Sequence, residues 1–100
     1  MIVLEEGVNN VQLSIAFFNN NNDYLLRIED NFKQYTLDVN LTDMSNNKNL
    51  YTEFELEVVT DINDQDLING KIFLNINKRY FYYLFDSFDN LIDTGYLIYT

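Results

Sequence analysis

The stretch RYFYYLFDSFDNLIDTGYLIY, residues 79–99, decides the fold. From Tyr80 to Phe85 every side chain is apolar or aromatic. A strand points successive side chains to opposite faces. Tyr80, Tyr82 and Leu84 therefore share one face, and Phe81, Tyr83 and Phe85 the other. A strand with one wet face alternates apolar with polar, whereas one covered on both faces reads as a continuous apolar run. The stretch thus predicts a central strand, packed on one side and covered or bound on the other. Asp86, Asp89-Asn90 and Gly95 supply turn chemistry. Leu97–Tyr99 is expected to return as a partner strand.

Working back from this hairpin, the same period of two recurs. Phe54, Leu56 and Val58 alternate with Glu53, Glu55 and Glu57. Glu and Leu are good helix formers, so a helix competes. At 100° per residue, however, the three apolar residues would scatter around a helix, and the strand wins. Val11, Leu13, Ile15 and Phe17 alternate with Gln12, Ser14 and Ala16. Tyr24, Leu26 and Ile28 alternate with Leu25, Arg27 and Glu29. Tyr35, Leu37, Val39 and Leu41 follow after the turn signal Asp30-Asn31, so these last two segments read as a hairpin. Ile72, Leu74 and Ile76 alternate with Lys71, Phe73 and Asn75. Polar connections are expected at Asn19–Asp23, Asp43–Asn49 and Thr60–Asn69. Met1–Leu4 is a short apolar start, either an edge strand or an arm that reaches a neighbouring chain. About seven to eight strands at roughly 8–12-residue spacing, with no helix pattern, predict an all-β fold in a single domain, residues 1–100. A single antiparallel β-sandwich fits best, with a barrel as the alternative.

Composition narrows the chemistry. The chain has no cysteine and no histidine, so it has no thiol nucleophile and lacks the commonest general base and metal ligand. No cofactor is expected. The net charge is −10, with six basic residues against sixteen acidic ones. Nucleic-acid binding needs Lys and Arg to replace counterions around phosphate, so neither nucleic acid nor an anionic membrane surface is expected as a partner. No apolar stretch reaches the roughly 18 residues of a membrane span. Sixteen asparagines, with Ile, Lys and Tyr, share AT-rich codons and reflect base composition as much as structure.

Three constellations invite a site. Asp61-Ile62-Asn63-Asp64-Gln65-Asp66 places oxygen ligands at alternate positions, as calcium loops do. The helix-flanked calcium loop needs Gly at position six and Glu at position twelve, where this chain has Asp66 and Ile72. Glu53, Glu55 and Glu57 share one strand face about 7 Å apart, a spacing compatible with glycoside chemistry, but acids facing water give the same pattern. Ser14, Ser45 and Ser87 lack a histidine partner. Bottom-up, no catalytic set emerges, and a non-enzymatic protein is expected. The aromatic strand is the remaining candidate. Tyr offers an apolar body and a polar tip and is enriched at interfaces, so a second face of Phe81, Tyr83 and Phe85 fits core packing or docking. Exposed Tyr rings also stack on sugars.

The order of these signals resembles the small virion proteins of tailed bacteriophages, including crAss-like phages of gut Bacteroidota and phages of flavobacteria. The residues that carry the resemblance are Met1-Ile2, Gly7-Val8-Asn9-Asn10-Val11-Gln12-Leu13, Tyr24-Leu25-Leu26, Asp43-Met44-Ser45, Tyr51-Thr52-Glu53-Phe54, Tyr80-Phe81-Tyr82-Tyr83 and Asp93-Thr94-Gly95-Tyr96-Leu97. They span nearly the whole chain. Two positions depart from the pattern. Asn77-Lys78-Arg79 stands where a glycine precedes the Tyr-x-Tyr strand, and Asp23 stands where a proline precedes Tyr-Leu. The resemblance implies an immunoglobulin-like sandwich, without catalysis, made in the bacterial cytoplasm and carried on the virion. The expected role is an auxiliary (decoration) capsid protein docking on the major capsid protein. The alternatives are a neck or tail accessory, a host-surface-binding module, or a small acidic inhibitor of a host nucleic-acid-binding protein. Expected partners are other virion proteins, and further copies of the chain on the particle. The expected docking residues are Phe81, Tyr83 and Phe85, with Ile2 and Leu4 of the N-terminal arm.

Overall fold

The computed structural model describes residues 1–14, 23–30, 35–44 and 51–100. These form eight strands: β1 (Ile2–Leu4), β2 (Gly7–Ser14), β3 (Asp23–Asp30), β4 (Thr36–Thr42), β5 (Tyr51–Val59), β6 (Lys71–Phe73), β7 (Arg79–Asp86) and β8 (Leu91–Tyr99). Two single 3₁₀ turns, Ile62–Asp64 and Leu67–Asn69, lie between β5 and β6. The fold is all-β, as the alternation predicts. The expected Asn19–Asn22 loop, the Ile15–Phe17 end of the second strand, and most of the Asp43–Asn49 connection lie outside the described residues.

Among the described residues the strands form two sheets. A five-stranded sheet has the order β1-β8-β7-β3-β4, and a three-stranded sheet the order β2-β5-β6. Strand β7 holds the middle of the larger sheet, as its unbroken apolar run requires. The buried faces of both sheets meet in one cluster. Tyr80, Tyr82 and Leu84 of β7 are in it with Leu26 and Ile28 of β3, Val39 of β4, and Leu97 of β8. Phe54, Leu56 and Val58 of β5 and Ile72 of β6 come from the other sheet. Each fully buried side chain of this size contributes about 1.5–3 kcal/mol. The hairpin β3–β4 pairs antiparallel as expected, Tyr24 opposite Leu41 and Ile28 opposite Leu37. The Glu-rich strand also forms, with Phe54 and Leu56 fully buried and Glu55 exposed.

Four expectations are corrected or narrowed. First, both sheets are mixed: β1 runs parallel to β8, and β5 parallel to β6. Period-two alternation reports which face is buried, not which way a neighbour runs. Second, of the two readings of Met1–Leu4, edge strand or arm, β1 is the edge strand. Ile2 and Leu4 are buried beside Leu97 and Tyr99 of β8. The chain then passes to the other sheet through Gly7 at φ 93°, a backbone angle that L side chains rarely adopt. The Asn9 side chain pins this corner, accepting from the Glu5 N–H at 2.8 Å and donating to the Glu5 and Gly7 carbonyls at 2.8 and 3.0 Å.

Third, Gly95 is not a turn residue. It lies within β8 opposite Tyr82, whose ring covers it; a Cβ there would meet the ring at 3.0–3.2 Å. Fourth, β6 ends at Phe73, and Ile76 lies exposed in the turn before β7. That turn is made by Asn77 at φ 61°, and the turn between β7 and β8 by Asp89 at φ 63°. Asn and Asp tolerate this left-handed region better than other non-glycine residues.

Candidate docking face

The outward face of the larger sheet is built by register. Phe81 stands between Tyr96 of β8 and Glu29 of β3. Tyr83 stands between Thr94 and Arg27, and Arg27 is opposite Asp38 of β4. Phe85 stands between Leu91 and Leu25. A register shift between Leu84 and Phe85 leaves Ile92 as an extra residue, which keeps Leu91 on the outer face. At the other end Val3, Ile98 and Arg79 align across β1, β8 and β7.

Of the five expected docking residues, the structure brings three together here. Phe81, Tyr83 and Phe85 are half-buried on this face. Ile2 and Leu4 are not among them. At 3% and 0% exposure they face the core, and the exposed side chain of β1 is Val3. A partner cannot touch Ile2 or Leu4 while β1 stays paired.

The face is covered by its own side chains. The Phe81 and Tyr96 rings lie 5.1 Å apart at 41°. Arg79 sits 5.1 Å above the Tyr96 ring and Arg27 5.4 Å above Phe85. A guanidinium over an aromatic face gains about 0.5–1 kcal/mol when exposed. Arg27 also makes a two-pronged pair with Asp38, Nε to Oδ1 at 2.8 Å and Nη2 to Oδ2 at 3.1 Å. These hydrogen bonds and the Asp38 charge raise the Arg27 pKa further above its ordinary value. The Tyr83 hydroxyl bonds to Glu29, which pushes its pKa above the ordinary tyrosine value. The charged groups in phase on this face are Arg27, Arg79, Asp23, Glu29 and Asp38, of which Arg27 and Asp38 pair directly. Both arginines of the chain lie here.

Sequence reasoning missed Arg27, Glu29, Arg79 and Tyr96 as parts of this surface. The phase of β3 carried the signal for the first two, because Leu25, Arg27 and Glu29 alternate with the buried Tyr24, Leu26 and Ile28. Tyr96 was hidden by the extra residue Ile92, which breaks any register counted from the turn.

The inner side of the same hairpin is polar at one point. The Tyr82 hydroxyl donates to Asp93 at 3.0 Å. Burial, then the Asp93 carboxylate, push the Tyr82 pKa up to about 12. At the start of β7 the fully buried Tyr80 turns its hydroxyl back to accept the Asn75 N–H at 2.9 Å. Beside it the buried Asp30 pairs with Lys78 at 3.3 Å.

The acidic candidates are engaged in local structure. Glu53 accepts from Asn10 at 2.7 Å, and Glu57 lies 3.9 Å from Lys71. Asp61 accepts from the Asn63 N–H at 3.0 Å, capping the first 3₁₀ turn. Asp66 accepts from Asn69 at 2.6 Å, which holds its pKa below the usual carboxylate range. Among the described residues, no three His, Cys, Asp or Glu side chains are grouped to hold a metal ion. No helix among them is long and apolar enough to cross a membrane.

Comparison with family models, curated proteins and solved structures found no match.

Proposed function

We propose that this chain is a non-enzymatic structural protein of a tailed-phage virion. In this reading it is an auxiliary capsid protein that docks on the major capsid protein through Phe81, Tyr83, Phe85 and Tyr96. The observation that carries the docking is the outer face of β7 and β8. It combines aromatic rings with both arginines of a chain whose net charge is −10. Interfaces are enriched in aromatics and Arg, and this face carries Phe81, Tyr83, Phe85, Tyr96 and both arginines.

We read the fold as an immunoglobulin-like sandwich. Two features support this. The order β8-β7-β3-β4 over β2-β5 matches strands G-F-C-C′ over B-E of variable-type immunoglobulin domains. Tyr80 near the start of β7 bonds back to the backbone five residues upstream, as the tyrosine of the E–F corner does. Tyr82 then occupies the position of the second immunoglobulin cysteine, consistent with a core closed without a disulfide. The departure from the virion-protein pattern at Asn77-Lys78-Arg79 is also accommodated. Asn77 takes the left-handed angle that glycine would supply.

The acidic-inhibitor alternative would use the carboxylates of Glu53, Glu55, Glu57, Asp61, Asp64 and Asp66, and of these Glu57 is paired with Lys71. The test is mass spectrometry of purified particles of the phage whose genome encodes the chain. Copies in the hundreds support a capsid-lattice protein. About six or twelve would move it to the rings of the neck or tail. Absence from the particle overturns the proposal.

A further inference from the structure

The corner that leads into β6 is built on two residues, Asn69 and Gly70. Gly70 closes the second 3₁₀ turn at φ 75° and ψ 22°, a left-handed cap that glycine adopts without strain. A Cβ there would also meet the Glu55 carbonyl at 3.3 Å. The fold therefore requires glycine at this position. Asn69 lies exposed, and its side chain ties the turn from the other side, Nδ2 donating to Asp66 Oδ2 at 2.6 Å. The Gly70 carbonyl accepts the Glu57 N–H at 2.9 Å, and Asp66 and Lys71 exchange two N–H···O bonds of 2.9 Å. These contacts hold β6 in parallel register on β5, Lys71 beside Glu57 and the fully buried Ile72 beside Val58. The same pair carries a chemical liability. Of the sixteen asparagines, Asn69 alone precedes a glycine. With no Cβ on residue 70, its backbone nitrogen can approach the Asn69 Cγ unhindered. A cyclic imide then closes within the chain, where proximity replaces collision.

We propose that Asn69–Gly70 is a self-modification site, held shut by Asp66, whose conversion releases β6. The Gly70 nitrogen gives its proton to hydroxide and attacks Cγ of Asn69. The N–Cγ bond forms and the Cγ–Nδ2 bond breaks. Nδ2 takes a proton from water and leaves as ammonia. Water then opens the imide at either carbonyl, giving aspartate or isoaspartate, with no oxidation or reduction. In the closed corner the Asp66 carboxylate holds the carboxamide by Nδ2. The ring closes only after that bond and the turn open locally. Conversion is one-way. With aspartate, a second carboxylate replaces the donor that Asp66 Oδ2 had at 2.6 Å. With isoaspartate the backbone gains a methylene, which displaces the Gly70 carbonyl from the Glu57 N–H and shifts Lys71. Either product removes a contact from a strand of only three residues. This site is separate from the aromatic docking face and does not rest on the virion reading.

The test is mass spectrometry of the full chain held at mildly alkaline pH, folded and in urea, reading the peptide that contains Asn69. In urea Asn69 should convert first among the sixteen asparagines. In the folded chain it should convert more slowly by about tenfold or more, the factor that one hydrogen bond to a charged group is worth. Asp66→Ala, or Asp66→Ser if the alanine variant loses the wild-type circular dichroism, should bring the folded rate toward that in urea. Asn69→Asp supplies one product directly. Its Glu57, Asp66 and Lys71 amides should exchange faster by NMR, while those of β3 and β7 keep wild-type protection. Folded wild type converting as fast as the chain in urea overturns the proposal. So does another asparagine converting first in urea, an Asp66 variant no faster than wild type, or wild-type exchange at all three amides of Asn69→Asp.

Discussion

Tyr82, Gly95 and Asp93 form one unit across β7 and β8. The ring lies over the bare Cα of Gly95, and the hydroxyl reaches Asp93 two positions before it. Gly95→Ala would force the ring off its place, because overpacking a filled site costs about 1–3 kcal/mol. Chemical denaturation should show a loss in this range, with a second, compensating change if Tyr82 is also shortened to Leu. Alkali acts on the same unit. The folded-state pKa of Tyr82, about 12, lies above the unfolded value of 10.0. The stability linked to its proton is therefore fully present below pH 10 and lost as pH rises through 12. Tyr82→Phe should lower stability at neutral pH by roughly 1.5–3 kcal/mol, the worth of one hydrogen bond to a charged group. It should also flatten the decline of Tm between pH 10 and 12 relative to wild type. The phase of the aromatic run was legible in the sequence, since Tyr80, Tyr82 and Leu84 could only share a face. The purpose of Gly95 was not. A glycine before an apolar run reads as a turn, and only the ring laid across it reveals a packing role.

Strand by strand, alternation located β3, β4, β5 and β7, because each has one face in the core. It could not supply the parallel pairings of β1 with β8 and of β5 with β6. Those depend on which edge lies free when the sheets close, and three-residue strands are too short for a period to register. The core side chains of β1 nevertheless have a measurable weight. Leu4 is fully buried, and Leu4→Ala should cost about 2–5 kcal/mol, close to an internal core substitution. An arm free of the body would lose almost nothing. In the turn between β7 and β8, the Asp86 carboxylate gathers the loop around the left-handed Asp89. Asp86 Oδ1 accepts the N–H groups of Phe88 and Asn90, each at 2.9 Å, and Oδ2 accepts the Asn90 side chain at 3.1 Å. Burial opposes the charge of Asp86, but these hydrogen bonds outweigh it and hold its pKa below the ordinary value. Its contribution is therefore present above the unfolded pKa and lost as pH falls through the depressed folded one. Asp86→Ala should speed amide exchange at Phe88 and Asn90 and reduce the acid sensitivity of the hairpin.

Across the whole molecule, charge and aromatic surface are segregated. The smaller sheet shows Glu53, Glu55 and Glu57 outward, while the larger shows rings flanked by both arginines and the Arg27–Asp38 pair. On the proposed docking role, the acidic side would face solvent and the aromatic side the partner, with Arg27 already paired to Asp38. The sequence supplied three of the face residues, Phe81, Tyr83 and Phe85. It did not supply their supports Arg27, Arg79 and Tyr96, which register alone brings alongside. The most direct test of the docking face uses particles assembled with the double variant Tyr83→Ala, Phe85→Ala, whose circular dichroism is first matched to wild type. Occupancy of the chain is then counted against the major coat protein. The account predicts that occupancy falls to background while the folded variant remains in the lysate. Wild-type occupancy with both rings removed would contradict it.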